Sequence, residues 1–216
     1  MKVTKEQTAA HRAALVRAAD RLFRERGIDG VGVAEICKRA GLTHGALYAQ
    51  FSSKEALAAE ALAYGLDRNL AHLMAAAEDG HDDHPPALTA YLDAYLTPQH
   101  RDDLAGGCPM AASASEIARQ DAAISAHFSD GFERMVEAIQ AMLGPTATTT
   151  PQTADARQRA LAIAAAMIGG IAAARAVHKA RPDLSDDIVA AMRQVLGAVG
   201  GEAATHSADA AANARG

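Results

Sequence analysis

Apolar residues recur three and four positions apart along most of the chain, which is the period of an amphipathic helix. In the first such segment the apolar face carries Leu15, Ala18, Ala19, Leu22 and Phe23. A threonine at position 4 or 8 can cap the start of this helix, and Gly27 can end it in the left-handed conformation. The pattern therefore predicts a long amphipathic helix at the start of the chain.

Three more helices are predicted directly after it. A short helix over 33–40 has an apolar face and ends at Gly41. Thr43 can cap a third helix that runs to about residue 50, and a fourth begins after the serines at 52–53. Closely spaced short helices of this kind are typical of a small helical domain.

The second half of the chain shows the same periodicity, interrupted by loops rich in proline, glycine and threonine. It predicts helices over about 87–96, 121–143, 154–180 and 184–199. Pro109 is well placed in the first turn of another helix. Residues 200–216 have no periodicity and are expected to be disordered.

Composition agrees with an all-α fold. The chain has 216 residues, half of them hydrophobic, and about a quarter are alanine, the strongest helix former. Two cysteines, Cys37 and Cys108, are too few for a disulfide framework and fit a reducing compartment. The N-terminus lacks the apolar region of a signal peptide, and the most apolar stretch, 161–174, is judged too short to span a bilayer. A cytoplasmic protein without a membrane partner is expected.

Charge divides the chain into two parts. The formal net charge is −5, but residues 1–60 carry ten basic and seven acidic residues, and residues 61–216 carry eleven and nineteen. The first part is therefore +3 and the second −8. A mildly basic segment on an acidic body indicates two parts with different partners.

The two short helices around Gly41 have the dimensions of a helix-turn-helix. Leu42, Leu47 and Phe51 can fix the second of them against its neighbours. Its other face is then free to enter the major groove of DNA. On spacing alone, an ordinary pair of antiparallel helices explains the segment equally well.

The residues of this segment are more specific than its spacing. The most characteristic runs are Gly45-Ala46-Leu47-Tyr48, then Phe51, then Ser53-Lys54-Glu55-Ala56-Leu57. They resemble the N-terminal domain of the TetR (tetracycline repressor) family, and the resemblance covers residues 9–69. It implies a three-helix DNA-binding head, with the helix-turn-helix at about 32–51. An all-helical ligand-binding and dimerisation body over 70–199 would follow. Such proteins usually repress transcription and release their operator when a small molecule binds.

The resemblance also assigns roles to individual positions. The family's usual phosphate-contacting positions are occupied here by Thr43, Tyr48 and Lys54. Its base-facing positions are occupied by His44, Gly45 and Gln50. The chain departs from the family at Gly32, where a threonine often caps the helix and touches a phosphate. The implied partners are double-stranded operator DNA and an unknown small-molecule inducer.

Candidate sites in the body are less specific. Residues that could line a ligand pocket are Tyr91, Tyr95, Met110, Phe128 and Phe132, although each is an equally good core residue. His81 and His84, with two aspartates, could suggest a metal site, but a solvated loop explains them better and no metal is expected. No cofactor is implied.

Small residues recur along the helix predicted at 154–180, including the adjacent pair Gly169 and Gly170. A glycine pair inside a helix lowers its stability unless close packing requires it. We therefore expect a homodimer through the helices at about 154–180 and 184–199. Packing within one subunit is the alternative.

Other functional classes remain as alternatives. Cys108 follows two glycines and precedes Pro109, so it can cap a helix N-terminus, where a thiolate is favoured. A thiol-based redox or electrophile sensor on the same scaffold is thus one alternative, and a helical enzyme or binding module is another. The chain has no glycine-rich phosphate loop, nucleophile elbow or His-Glu-x-x-His motif, so we predict that it is not an enzyme.

Overall fold

A computed structural model describes residues 4–78, 87–143 and 151–213. All regular elements in these ranges are helices, in agreement with the all-α prediction. In chain order they are α1 (Lys5–Arg26), α2 (Val33–Ala40), α3 (His44–Tyr48), α4 (Lys54–Glu78), α5 (Ala87–Tyr95), α6 (Pro98–Asp102), α7 (Pro109–Ile117), α8 (Ala122–Met142), α9 (Pro151–His178) and α10 (Pro182–Asn213).

Local capping explains where the first helix begins and ends. Thr4 is the cap of α1, since its hydroxyl oxygen accepts the Gln7 N–H at 3.2 Å. The Gln7 side chain accepts the Thr4 N–H in return at 3.0 Å, which completes a capping box. Gly27 ends the helix with a φ of 77°, a conformation that favours glycine.

The next three helices are separated by equally local signals. Gly41 takes the left-handed conformation at the end of α2, with a φ of 68°. Thr43 caps α3 through an N–H···O bond of 3.2 Å from Ala46, and α3 ends two residues earlier than expected. Ser53, whose hydroxyl accepts the Ala56 N–H at 3.1 Å, caps α4.

The chain forms two compact units. The first unit comprises residues 4–69 and 103–131, and the second comprises the remaining described residues. Helices α4 and α8 each run from one unit into the other. The packing of residues 103–131 with the N-terminal helices could not be predicted from the sequence, because the contacts that join them are distant along the chain.

The core of the first unit is built on α1. Its apolar face is buried as the periodicity predicted, and it packs against α2, α3 and α7. Fully or almost fully buried residues include Leu15, Ala19, Leu22, Ile36, Leu47 and Leu57. Each buried leucine or isoleucine side chain contributes about 1.5–3 kcal/mol relative to exposure.

Polar contacts attach residues 103–131 to the N-terminal helices. The Arg24 guanidinium pairs with the Asp20 carboxylate on α1 and donates to the Gly107 carbonyl at 3.0 Å. The Glu116 carboxylate on α7 accepts the Asp29 N–H at 3.0 Å. These bonds connect the loop before α7, and α7 itself, to the C-terminal end of α1.

The second unit is organised around α9 and α10, with α5 packed on α10 and α6 on α9. Arg101 is almost fully buried and bridges α6 to α10, where it donates to Ser185 at 2.8 Å and pairs with Asp186. Ser185 in turn donates to the Ala174 carbonyl of α9 at 2.8 Å. A polar link therefore passes from α6 through α10 to α9.

The glycine pair of α9 faces two different environments. A Cβ at Gly170 would lie 3.0 Å from Cγ and 3.1 Å from Cε of Met192 on α10, whereas a Cβ at Gly169 would meet nothing within 4 Å. The expectation that the pair serves a contact between subunits is thus wrong for Gly170, which makes room for Met192 of the same chain. Gly169 is exposed in the single chain.

The apolar segment of α9 is longer than the sequence argument allowed. Ala156–His178, 23 residues, is long and apolar enough to cross a membrane by those two criteria alone. Its most buried residues lie on one side of the helix, the side that faces the interior of the second unit. They are Ala160, Ile163, Ala164, Met167, Ile171 and Ala174. This side of α9 forms part of the core of the second unit, and length and composition alone are weak evidence for a membrane span.

The C-terminal tail also differs from expectation. The sequence predicts disorder over 200–216, but α10 continues as a helix to Asn213, and residues 214–216 lie outside the described part. Alanine makes up much of this stretch, and its high helix propensity lets a helix continue without an apolar face.

The Asp20–Arg24 pair generates a stability prediction, because burial raises the pKa of Asp20 and lowers that of Arg24 despite their pairing. Arg24→Met should lower the free energy of unfolding by about 3 kcal/mol at neutral pH, the lower end of the range for a broken buried pair, since it leaves the buried carboxylate without its close partner while Arg68 Nη2 remains 3.8 Å away. The loss should shrink as the pH falls and Asp20 takes up a proton, because a raised pKa means that the folded state binds that proton more tightly. Urea denaturation at several pH values measures both effects.

The double variant Asp20→Asn/Arg24→Met is the control, since it removes the charge as well as its partner. It should be more stable at neutral pH than Arg24→Met alone, and its stability should depend less on pH. Equal stability of the two variants would contradict the unpaired-carboxylate explanation.

Candidate nucleic-acid interface

Helix α3 is buried on one side and exposed on the other. Leu47 is fully buried and Phe51, just after the helix, is 4 % exposed. On the outer side Thr43, His44 and Gly45 are exposed, and the Tyr48 side chain is 56 % exposed although it is a large aromatic group. The helix is thus anchored by apolar side chains and presents polar groups outward.

The six residues singled out as DNA contacts occupy one short stretch, from Thr43 before α3 to Lys54 at the start of α4. Four of them are exposed, and Gln50 and Lys54 are half-buried. The polar ends of these side chains are therefore within reach of a ligand outside the protein. Sequence reasoning had expected this separation of buried and exposed faces.

Thr43 has a structural role in addition to its predicted contact. Its hydroxyl oxygen accepts the Ala46 N–H and so fixes the start of α3. A hydroxyl group can still donate its own hydrogen while it accepts. Thr43 can therefore cap the helix and bind a phosphate oxygen at the same time.

Gly32 caps α2 without a side-chain hydrogen bond. A Cβ at this position would meet nothing within 4 Å, and its φ of −88° suits any residue. The absence of the family's threonine is thus not enforced by packing, and a side chain would fit here.

The two cysteines are both buried. Cys37 is 3 % exposed on the inner face of α2, and burial raises the pKa of its thiol. Cys108 is 2 % exposed and is the N-cap of α7, as expected from Pro109, with its Sγ accepting the Ala111 N–H at 3.4 Å.

The five residues suggested for a ligand pocket do not lie in one unit. Tyr91 and Tyr95 belong to the core of the second unit, with ring centroids 6.5 Å apart, and Phe132 is half-buried there. Met110 is buried and Phe128 half-buried in the first unit. For the two tyrosines the core interpretation fits what the structure shows.

Two openings in the first unit involve other residues. A cavity of about 20 Å³, the size of one water molecule, lies among α1, α4 and α7 beside Arg24 and Pro109. An open groove of about 390 Å³ runs between α1 and α4, past Arg12, Glu60 and Tyr64. Neither of these two openings is lined by the suggested pocket residues.

The histidines considered for a metal site, His81 and His84, lie outside the described residues. Within the described ranges, no group of three or more His, Cys, Asp or Glu residues is arranged to hold a metal ion.

Sequence reasoning missed four polar contacts that hold the first unit together. Arg12 contacts Glu60 and the Gln50 carbonyl, Arg24 pairs with Asp20, and Glu116 binds the loop after α1. Arg12 and Asp20 occupy α1 positions beside its apolar face, and this was the available signal. The Asp20–Arg24 pair has the i, i+4 spacing of one helix face and could have been found from the sequence. The partners of Arg12 and Glu116 are distant along the chain, so periodicity could not supply them.

An anchored helix-turn-helix with an exposed polar face on its second helix defines a DNA-binding protein of the helix-turn-helix class. Comparison with known proteins is more specific. The model for "Bacterial regulatory proteins, tetR family" matches residues 15–61, and that for "Tetracyclin repressor-like, C-terminal domain" matches residues 85–195. The chain belongs to the tetR family of transcriptional regulators, so the family resemblance drawn from the sequence is confirmed.

Similar proteins include the HTH-type transcriptional regulator TtgR of Pseudomonas putida, at 39 % identity over 75 residues. This match spans 35 % of each chain, about a third of the relative's length. The uncharacterized regulator YfiR of Bacillus subtilis is 32 % identical over 92 residues, 43 % of this chain and 44 % of the relative.

Two solved structures share the fold over most of the chain. Escherichia coli NemR in its reduced form has a TM-score of 0.69 at 19 % identity, and covers 86 % of this chain and 94 % of its own. A TetR regulator from Chloroflexus aurantiacus has a TM-score of 0.67 at 24 % identity, with 89 % and 95 % covered. Members of the family bind operator DNA, usually act as homodimers with small-molecule ligands, and are generally not enzymes.

Proposed function

We propose that this protein is a cytoplasmic repressor that binds a near-palindromic operator as a homodimer and releases it when a small-molecule inducer binds. The observation that carries the proposal is the exposed polar face of α3 on a buried apolar anchor. Residues 9–69 would form the DNA-binding head, and 70–199 the ligand-binding and dimerisation body. Residues 103–131 belong to the body in this division, yet they pack with the head.

Different residues would position the head and read the sequence. Thr43, Tyr48 and Lys54 are assigned to backbone phosphates, and their positions at the two ends of α3 and at the start of α4 support this role. His44, Gly45 and Gln50 are assigned to base edges. Phosphate contacts set orientation without reading sequence, whereas base contacts discriminate between sequences.

This division predicts different effects for substitutions at the two kinds of position. Lys54→Ala should weaken binding similarly on matched and mismatched operators and lower the salt slope by about one, because one phosphate contact is lost. Gln50→Ala or His44→Ala should instead relax discrimination at particular base pairs, by about 1–3 kcal/mol where a bidentate contact is lost. Binding titrations over a salt series measure both. Unaltered affinity and slope for Lys54→Ala would refute its assignment.

A homodimer through α9 and α10 is supported by the outer faces of these helices. Small residues are exposed along α9 at Ala162, Ala165, Gly169, Ala173 and Ala176. On α10, Val195 is 61 % exposed between the exposed residues Ala191 and Ala198. A helix that is apolar on all sides is normally buried on all sides, so a second copy is a suitable cover for this surface.

Gly169→Leu tests this interface, since the single chain leaves open space for a side chain there. The leucine should be tolerated by the subunit but hold two copies apart, so that light scattering shows monomers and operator affinity falls. Ala123→Leu, which adds similar bulk at an exposed site on α8, should remain dimeric. If Gly169→Leu also stays dimeric and binds DNA normally, the interface lies elsewhere.

A thiol-based sensor on the same scaffold is the second candidate. The observation that favours it is the Cys108 sulfur at the N-cap of α7, within 3.4 Å of the Ala111 nitrogen. Modification of this sulfur would remove the cap and disturb Gly107, whose carbonyl binds Arg24 of the head. Modification of the Cys108 thiol would in this way weaken the hydrogen bond between Arg24 of α1 and Gly107.

Cys37 is the internal control for this candidate, because its thiol is equally buried and its pKa is raised. A sensor thiol should react faster than Cys37 with a thiol reagent in the native protein, and its modification should release DNA. If Cys108 reacts no faster than Cys37, or if Cys108→Ser responds to oxidants like the parent, the reversible inducer remains the mechanism.

A further inference from the structure

Arg12 on α1 contacts three parts of the first unit through one guanidinium group. Its Nε donates to Glu60 Oε1 on α4 at 3.0 Å, and its Nη2 pairs with Glu60 Oε2. Its Nη1 donates to the backbone carbonyl of Gln50 at 2.6 Å. Its Cζ lies 4.2 Å from the centre of the Phe51 ring. Arg12 therefore joins α1, α4 and the segment that ends α3.

The bond to Gln50 lies where α3 needs support. Gln50 stands two residues beyond Tyr48, the last residue of α3, so the bond from Arg12 holds the backbone where the chain leaves the helix. Helix α3 has only five residues, too few to be stable alone. Leu47 and Phe51 anchor it through apolar contacts, and the hydrogen bond from Arg12 adds a directional constraint just beyond its C-terminal end.

We infer that Arg12 is a positioning residue for DNA recognition: it holds the C-terminal end of α3 in the orientation in which Gln50 can reach a base. The inference rests on the proposed function, in which α3 reads the operator. Arg12 does this through Glu60 and the Gln50 carbonyl, which take up three of its five N–H groups within the protein. The salt series below tests whether the other two also meet a phosphate.

The exposure of the ion pair separates this role from a purely stabilising one. The Arg12 and Glu60 side chains are 41 % and 39 % exposed, so water screens their attraction and the pair adds little to global stability. The planar guanidinium fork, by contrast, restricts geometry, which a single ammonium charge does not. Loss of Arg12 should therefore change recognition more than folding.

The test uses the full-length protein and an operator selected from random DNA by the wild-type chain. Affinity is measured for this operator and for a scrambled duplex over a salt series, together with the melting temperature. Arg12→Ala should reduce the operator-to-scrambled affinity ratio by about tenfold for each half-site, the effect of losing one well-oriented base contact in each subunit. Its salt slope on scrambled DNA should match that of the wild type. Arg17→Ala, which removes the same charge from an exposed site on α1, should leave the ratio unchanged.

Two further variants separate geometry from charge. Glu60→Gln removes a negative charge from the head, and by electrostatics alone it should strengthen binding to all DNA. If Glu60 helps Arg12 to position α3, the operator-to-scrambled affinity ratio should instead fall, while binding to scrambled DNA does not weaken. Arg12→Lys keeps the positive charge but cannot bind Glu60 and the Gln50 carbonyl with the same fork, so it should not restore the ratio.

The possible results distinguish a positioning role of Arg12 from a phosphate contact and from a role in stability alone. Equal weakening on both duplexes with a reduced salt slope would make Arg12 a phosphate contact and overturn the inference, as would a changed melting temperature with an unchanged ratio. If Arg12→Ala does not fold, the operator-to-scrambled affinity ratios of Arg12→Lys and Glu60→Gln test the positioning role in its place. A wild-type chain that selects no DNA sequence overturns the proposed function itself, whereas selection followed by wild-type ratios in all three variants overturns this inference alone.

Discussion

The exposed face of α3 depends on the burial of its opposite side. A helix of five residues gains too few hydrogen bonds to offset the entropy of ordering its backbone. It persists because Leu47 is fully buried and Phe51 nearly so, and because Thr43 supplies the hydrogen bond at its start. The polar residues can face outward only because these groups hold the helix. The DNA-binding surface is thus a consequence of packing within the first unit.

The same unit extends beyond the N-terminal helices. Arg24 holds the Gly107 carbonyl, and Glu116 holds the Asp29 N–H, so residues 103–131 are bound directly to the end of α1. The Glu116 carboxylate also limits the space at position 27, since a Cβ at Gly27 would lie 3.1 Å from both carboxylate oxygens of Glu116. Gly27 therefore meets two constraints, a positive φ and a close neighbour. The Arg24–Gly107 and Asp29–Glu116 hydrogen bonds connect α7 and the loop before it to α1 and the loop that follows it.

Helix α9 shows how one sequence feature can serve two purposes. Adjacent glycines suggest a single close contact, but successive helix positions point in directions about 100° apart. Gly170 accommodates Met192 of the same chain, and Gly169 is exposed on the outer face. Periodicity identified the helix and its small residues, but it could not say which glycine faced which surface, because α9 is apolar on both sides.

Local chemistry was predictable from the sequence. The caps at Thr4 and Thr43, the turn at Gly41 and the buried face of α1 follow from side chains within a few positions, as does the all-α class. Only the tertiary structure decided the rest, including the bond between Arg12 and Gln50 and the packing of residues 103–131 with the head. The physical reason is sequence separation: a hydrogen bond between groups tens of residues apart leaves no periodic trace in the chain, so only the folded backbone determines which groups meet.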